Sequence, residues 1–364
     1  MDKLLEVKDL RTYFHMHGYV VRAVDGVDFD ISAGETLGIV GESGCGKSQT
    51  SMSIMRLVPN PPGKIEGGKV LLDGNDILKI PEPEMRRIRG NRISMIFQEP
   101  MTSLNPVFTI GYQISEGLML HKDMSKDDAL VESARLLQTV GISDPEERVK
   151  EYPFQLSGGL RQRVMIAMAM ACDPSLLIAD EPTTALDVTI QAQILRLMRE
   201  LKDRRNTSIM FITHDLAVIA SFSDRVMVMY AGVAVESTDV HGIFKKPLHP
   251  YTQGLLGSVP VLGEVKRAAD GSRRLLKTIP GSLPDHRNFP TGCRFAPRCP
   301  KVMKKCWDAE PGLVEVEAGH TVRCYLYSDA VRETPAYHEV KALQGAAKRR
   351  EQEKAKKKNA GAGR

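Results

Sequence analysis

The sequence of 364 residues lacks any apolar run of about 18 residues, so it predicts no membrane-spanning helix. We expect no secretory signal, because Asp2, Lys3, Glu6 and Lys8 place charges where the apolar core of such a signal would lie. No internal repeat is present. We therefore expect a protein that is made and kept in the cytosol and can still dock on a membrane protein. Its length fits two domains, or one large domain with an appendage.

Excess positive charge is missing from most of the chain. The net charge is +5, but residues 341–364 hold nine Lys and Arg against two Glu, which leaves −2 for the remaining 340 residues. The basic balance is therefore a weak indicator of nucleic-acid binding, and we expect no nucleic-acid partner. Residues 332–364 are predicted to form a basic, disordered tail, with contact to anionic lipid or RNA as the alternative.

Residues 41–48 match the phosphate-loop pattern G-x-x-x-x-G-K-[ST], which occurs once. Glycines let the backbone turn tightly and bring N–H groups close to phosphate oxygens, and the following helix points its positive end at the same anion. A strand is predicted over 36–40 and a helix over 48–57, with Met52, Met55 and Leu57 facing inward. The candidate nucleotide-binding residues are Gly41, Glu42, Ser43, Gly44, Cys45, Gly46, Lys47, Ser48 and Gln49.

Within this loop the chemistry is carried by Lys47, which can reach the outer phosphates, and by Ser48, whose hydroxyl can bind Mg²⁺. A second motif lies downstream, where the apolar strand 176–179 ends in Asp180 and Glu181. Asp180 can hold the same Mg²⁺, and Glu181 can orient and deprotonate an attacking water. Cys45 is a thiol inside the loop, and we predict that its alkylation blocks nucleotide binding by bulk.

A third motif, Ser157-Gly158-Gly159, precedes a helix predicted over 164–171. Such a step forms a second anion-binding helix terminus. One nucleotide would not need two such loops from one chain. The sequence therefore predicts two chains facing head to tail, each covering the nucleotide of the other.

Apolar strands alternate with helical segments along the chain, which predicts class α/β with a parallel sheet covered on both faces. The first forty residues look β-rich, residues 59–68 a loop, and about 105–170 a helical insertion. We predict an ATPase-type domain over 1–262. Residues 263–331, rich in Pro, Gly, Cys and Arg, are predicted to form a small module whose core needs a metal.

These motifs occur in the order typical of an ABC transporter ATPase subunit, which the chain resembles over about residues 4–260. The resemblance is carried by the phosphate loop (Walker A), Gln98 after a strand, Leu156-Ser157-Gly158-Gly159, the carboxylate-bearing strand 176–181 (Walker B), Ala185-Leu186-Asp187 and His214-Asp215. The sequence departs from the family at Leu160, where the signature usually has Gln, so no role is carried over to that position.

Finer resemblance points to the oligopeptide and dipeptide permease ATPases, and most closely to their D-type subunit. It rests on residues 98–106, 163–169, 179–189 and 249–252, the last followed by a cysteine-bearing tail. It implies an ABC-type P-loop NTPase with a mostly parallel sheet, an antiparallel β subdomain, a helical subdomain and a small Cys-containing C-terminal extension.

The resemblance also implies roles for single residues. Tyr13 would stack on adenine, although a surface aromatic is the alternative. Gln98 would sense Mg²⁺ and the water and relay to the membrane subunits, and His214 would contact the γ-phosphate. Ser157, Gly158 and Gly159 would contact the nucleotide of the opposite subunit. Asp187 would pair across the dimer.

Four cysteines, Cys293, Cys299, Cys306 and Cys324, are spaced C-x5-C-x6-C-x17-C and lack the C-x2-C pairs of zinc ribbons. In a cytosolic protein such a cluster favours a metal over disulfides. Four thiolates can bind zinc or an Fe–S cluster, and the spacing alone does not choose. Some D-type subunits resembling this chain carry a [4Fe–4S] cluster on a matching set, which favours the cluster over zinc or free thiols.

The function implied by the resemblance is ATP-driven peptide import, with ATP, Mg²⁺ and the [4Fe–4S] cluster as cofactors. The chain would lie on the cytoplasmic face of the inner cell membrane. Its partners would be a second ATPase (an F-type chain or another copy), two transmembrane permease subunits and, indirectly, a peptide-binding protein. The alternatives are an importer of nickel or another small solute, a soluble ABC ATPase acting in translation or repair, and a nucleotide-gated regulatory protein.

Overall fold

The computed structural model describes residues 3–98, 103–184, 186–259 and 278–328. The predicted basic tail, residues 332–364, and the predicted contribution of Ala185 lie outside the described residues. In the described part, no helix combines the length and the apolar character needed to cross a bilayer.

Two sheets organise the described residues. A four-stranded antiparallel sheet has the order β2-β1-β4-β5, and an eight-stranded sheet has the order β11-β12-β10-β9-β3-β8-β7-β6. The strands are β1 Lys3–Met16, β2 Tyr19–Ser32, β3 Thr36–Val40, β4 Gly63–Leu72, β5 Asn75–Asp76, β6 Ile93–Ile96, β7 Leu176–Asp180, β8 Ser208–Ile212, β9 Arg225–Tyr230, β10 Val233–Asp239, β11 Val314–Glu317 and β12 His320–Val322. Strands β9, β3, β8, β7 and β6 run parallel, and the remaining pairs are antiparallel. The predicted class, α/β with a mostly parallel sheet and an antiparallel β subdomain, is confirmed.

Helices cover the large sheet and fill the insertion between β6 and β7. They are α1 Lys47–Ile54, α2 Glu82–Ile88, α3 Ile110–Lys122, α4 Lys126–Thr139, α5 Pro145–Arg148, α6 Gly158–Met170, α7 Val188–Arg205, α8 Leu216–Phe222, α9 Val240–Lys245, α10 Pro250–Ser258 and α11 Lys305–Asp308. Alternate residues of β7 face two different cores: Leu177 and Ala179 pack with the helical insertion, and Leu176 and Ile178 pack towards the β subdomain. Burial on both faces explains why this strand is apolar throughout.

Helix α1 differs from its prediction. It ends at Ile54, and its buried residues are Lys47, Thr50, Ser51, Ser53 and Ile54, most of which are polar. Of the predicted inward residues only Met55 is buried. The hydroxyl groups of the buried face find hydrogen-bond acceptors nearby; the Thr50 hydroxyl, for example, donates to the Gly46 carbonyl at 2.9 Å. Ser53 also lies 2.7 Å from the hydroxyl of Thr12 in β1. A polar face buried in this way leaves no apolar periodicity to find.

Two other segments extend beyond what their composition predicts. Residues 59–68 were expected to be a loop, yet β4 begins at Gly63 and pairs with β1. Helix α6 begins at Gly158 rather than Val164, because the Ser157 hydroxyl caps it by accepting the Leu160 N–H at 3.4 Å. Glycine lowers the helix propensity of a segment, but a cap and tertiary packing outweigh that cost.

The C-terminal extension joins the large sheet. Strand β12 pairs with β10, with Val322 opposite Glu236, and β11 pairs with β12. The Glu236 carboxylate is fully buried and accepts from the backbone N–H groups of Leu248 (2.6 Å) and His249 (2.8 Å). It also lies 2.8 Å from His320 Nε2 of the hairpin. A buried polar network therefore ties the extension to the sheet.

Candidate active site

The phosphate loop connects β3 to α1 and is shaped by glycines. Gly46 has φ 108°, a backbone conformation that residues other than glycine rarely adopt. A Cβ at this position would clash with the Ala23 carbonyl. Gly41 is packed against the Met229 carbonyl and the Cys45 sulfur in the same way. Lys47 Nζ reaches back across the loop to the carbonyls of Gly41 (2.8 Å) and Glu42 (3.1 Å). The loop thus has the tight backbone that phosphate binding needs, with the lysine over it.

The remaining predicted loop residues differ in exposure. Ser43 and Gly44 are exposed at the tip of the loop, whereas Cys45 is fully buried. Burial raises the pKa of the Cys45 thiol, so it is a poor nucleophile in the folded protein. Gln49 follows in α1, and its buried Oε1 has no hydrogen-bond partner in the described residues.

Ser48 and Asp180 come together from two different elements. The Ser48 hydroxyl donates to Asp180 Oδ1 at 3.1 Å, which joins the start of α1 to the end of β7. Asp180 is only 4% exposed, and this burial raises the pKa of its carboxyl to about 6. A hydroxyl and a carboxylate oxygen are ligands that Mg²⁺ accepts, and the cation would remove the cost of the buried charge. These two residues therefore fit a magnesium site.

Glu181 is the centre of a polar cluster. Its carboxylate accepts from Gln98 Nε2 at 3.1 Å and from the Thr184 hydroxyl at 3.0 Å, and it lies 3.4 Å from His214 Nδ1. Glu181 itself has φ 47°, an uncommon conformation for a side-chain-bearing residue, held by the hydrogen bond of its N–H to the Ile212 carbonyl. The ends of parallel strands thus bring three predicted residues together. Thr184 was given no role from the sequence.

Ser157, Gly158 and Gly159 lie apart from this cluster. Ser157 and Gly158 are exposed at the N-terminus of α6. Within the described residues, no hydrogen bond joins these three residues to the phosphate loop. Asp187 is also exposed and caps α7 by accepting the Ile190 N–H at 2.9 Å. Within the described part of one chain, the two anion-binding helix termini are therefore not joined by a hydrogen bond.

Tyr13 lies on β1 with its hydroxyl engaged. It donates to Asp25 Oδ1 at 2.5 Å, and burial together with this acceptor raises the pKa of the phenol to about 12. Arg22 lies 5.9 Å from the ring centroid. The ring is half-buried, and its stacking on a base stays a prediction.

The loop has contacts that sequence reasoning missed. Glu42 forms a two-pronged ion pair with Arg298, a residue 256 positions away in the C-terminal extension. Its N–H donates to the Tyr251 hydroxyl of α10 at 2.9 Å. No local pattern signals contacts over such a separation.

The four cysteines of the extension lie near one another. Each of the six pairs among Cys293, Cys299, Cys306 and Cys324 is close enough for the charges to interact. Burial raises the pKa of Cys293 to about 11 and that of Cys324 to about 12. In the described residues, however, no group of three or more His, Cys, Asp or Glu side chains is arranged so that it could hold a metal ion.

Comparisons with known proteins match two regions of the chain, one that contains the phosphate loop and one that reaches into the C-terminal extension. A family model described as ABC transporter matches residues 24–184. A second, described as Oligopeptide/dipeptide transporter, C-terminal region, matches residues 235–306 and so begins before the predicted boundary at 262. The fold is similar to that of an ATP-binding cassette solved as a dimer in a post-hydrolysis state bound to ADP and Pi. That similarity has a TM-score of 0.59 at 27% identity and covers 65% of this chain and 98% of that chain.

Curated relatives are similar over nearly their whole length. The chain is 56% identical over 329 residues to the Oligopeptide transport ATP-binding protein AppD of Bacillus subtilis (strain 168), covering 90% of this chain and 98% of the relative. It is 52% identical over 326 residues to the Dipeptide transport ATP-binding protein DppD of the same organism, covering 90% and 95%.

Proposed function

The chain belongs to the ABC transporter ATP-binding family, and from that premise we propose that it hydrolyses ATP to power the import of peptides. The observation that carries the proposal is the convergence of Ser48, Asp180, Glu181, Gln98 and His214 beside the phosphate loop. Its relatives at more than half identity are named for oligopeptide and dipeptide transport. The nickel and regulatory alternatives have no comparable support.

The residues divide the chemistry of hydrolysis among them. The loop backbone and Lys47 hold the phosphates, and Ser48 and Asp180 would hold Mg²⁺, which supplies charge neutralisation at the transferred phosphoryl group. Glu181 takes a proton from the attacking water as the water oxygen bonds to the γ-phosphorus and the bond to ADP breaks. Gln98 and His214 contact the Glu181 carboxylate and orient it towards that water.

A second ATPase subunit completes the site in this proposal. The exposed terminus at Ser157 and Gly158 would cover the nucleotide of the partner, and Asp187 would pair across the same interface. The partner is either another copy or a related F-type chain. Two permease subunits at the cytoplasmic face of the membrane would respond to closure and opening of the pair.

Transport by the complete complex tests this function. The chain, its partner ATPase and the permease subunits would be reconstituted in vesicles, and ATP-dependent uptake measured for dipeptides, longer peptides and nickel. We expect uptake of peptides that stops when Glu181→Gln replaces the wild type. If the vesicles took up nickel but none of the peptides, the proposed substrate would be contradicted. Uptake without ATP hydrolysis would contradict the ATPase role.

We further propose that the four cysteines hold a [4Fe–4S] cluster with a structural or redox-sensing role. The mutual proximity of the four thiols supports this proposal. A cluster core is larger than a single ion and accepts thiolates that lie further apart. Iron analysis and visible absorbance of anaerobically purified protein would test the proposal, and a colourless, zinc-loaded sample would refute it.

A further inference from the structure

Arg298 is held inside the protein by groups from three directions. Its guanidinium donates to both carboxylate oxygens of Glu42, at 2.6 and 2.9 Å, and to the Pro280 carbonyl at 2.9 Å. It also lies 3.4 Å from the Tyr230 hydroxyl. The Arg298 side chain is 6% exposed and the Glu42 side chain 27% exposed, so this is a partly desolvated, bidentate ion pair, a geometry that is among the stronger ones.

Glu42 is fixed by all of its polar groups. Its N–H donates to Tyr251, its carbonyl accepts from Lys47 Nζ and its carboxylate is bound by Arg298. Lys47 belongs to the phosphate-binding machinery, so the position of Glu42 bears directly on the geometry of the loop. The side chain of residue 42 is therefore anchored to the extension while its backbone shapes the nucleotide site.

The charge of Glu42 would otherwise oppose the ligand. A carboxylate within a loop that binds a triphosphate repels it, and the repulsion is strong where water is scarce. Arg298 offsets this charge through its two contacts with the carboxylate of Glu42.

The loop that carries Arg298 has a second anchor. Arg294 Nη1 donates to the Ala231 carbonyl at 2.6 Å, and Arg294 Nη2 pairs with Asp25 at 2.5 Å. The Asp25 carboxylate also accepts the hydrogen bond of the Tyr13 hydroxyl. Both arginines lie between Cys293 and Cys299 in a turn that includes the short 3-10 helix Ala296–Arg298.

We propose that Arg298 is a positioning residue for the phosphate loop, and that the Cys-bearing extension is thereby a working part of the ATP site. Arg298 holds Glu42 in place and neutralises it, so MgATP affinity depends on a residue outside the cassette motifs. The proposal rests on the proposed nucleotide-binding function. It adds that the extension contributes to nucleotide binding, although it lies after the ATPase domain in the sequence.

The experiment compares MgATP binding by calorimetry to the full chain, purified anaerobically, in the wild type, Arg298→Gln and the double variant Glu42→Gln with Arg298→Gln. A non-hydrolysable ATP analogue with Mg²⁺ is the probe. We expect Arg298→Gln to weaken binding by about tenfold, because it leaves the partly exposed Glu42 carboxylate without its countercharge beside the loop. The double variant removes that carboxylate and is expected to bind within about threefold of the wild type.

The matched control is Arg135→Gln, which removes an exposed bidentate pair with Glu132 on α4 and should leave binding unchanged. Wild-type affinity in Arg298→Gln would overturn the proposal. So would a double variant as weak as Arg298→Gln, since that result would indicate a structural loss unrelated to charge. Iron content and thermal melting, measured on each variant, identify any that fail to fold. A wild type that does not bind the probe would instead refute the proposed function.

Discussion

Replacing Asp180 with Asn should stabilise the nucleotide-free protein at neutral pH. Asp180 is 4% exposed, and burial raises the pKa of its carboxyl from 3.8 to about 6. One pKa unit corresponds to about 1.4 kcal/mol, so ionising this group in the folded protein costs roughly 3 kcal/mol more than in the unfolded chain. An Asn side chain keeps an oxygen that can accept from the Ser48 hydroxyl and carries no charge.

The sign of the pH dependence follows from the raised pKa. Below about pH 4, the carboxyl of Asp180 is protonated in both the folded and the unfolded state, so the wild type and Asp180→Asn should have similar free energies of unfolding. As the pH rises through about 6, the wild type loses the stability contributed by the protonated form. The difference between the two proteins should therefore grow to about 3 kcal/mol and then stay constant.

Urea denaturation at a series of pH values, in the presence of a chelator, measures this difference. The control is Asp203→Asn at an exposed position of α7, where the same substitution removes no buried carboxyl group. Adding MgATP should reverse the order, because it stabilises only the protein that keeps its Mg²⁺ ligand. A variant that is less stable than the wild type at neutral pH without nucleotide would refute the reasoning, as would a gain that does not change with pH.

Three further changes probe the site and its support. Glu181→Gln should lower ATP turnover by about 10²–10⁴-fold, with MgATP binding kept and the closed dimer trapped on a sizing column; near-normal hydrolysis would rule out Glu181 as the base. Glu236→Ala should lower the free energy of unfolding by about 3 kcal/mol, because two buried N–H groups and His320 lose their acceptor. A loss well under about 1 kcal/mol in urea denaturation would contradict that network. Cys45 should react with a maleimide far more slowly in the folded protein than in urea, as followed by mass spectrometry, and full labelling with retained ATPase would contradict its predicted effect on nucleotide binding.

Features with a local signal could be predicted from the sequence. Strand β3 has the bounds predicted from its apolar run, because a strand buried on both faces needs apolar residues throughout. The phosphate loop was predicted from residue spacing, and the carboxylates at the end of β7 from the apolar strand before them. The predictions of Met52 as an inward residue and of a loop up to residue 68 were wrong, because polar packing in α1 and glycine-rich pairing in β4 leave no periodic pattern.

The sequence by itself determined the phosphate loop, the carboxylates and the family, because these depend on short stretches whose backbone geometry is local. Only the tertiary structure decided which distant groups meet. It places Gln98, Thr184 and His214 on one carboxylate, and it brings Arg298 of the extension against Glu42. The reason is that these contacts depend on the order and the pairing of the strands, and neither can be predicted from the residues that flank a motif.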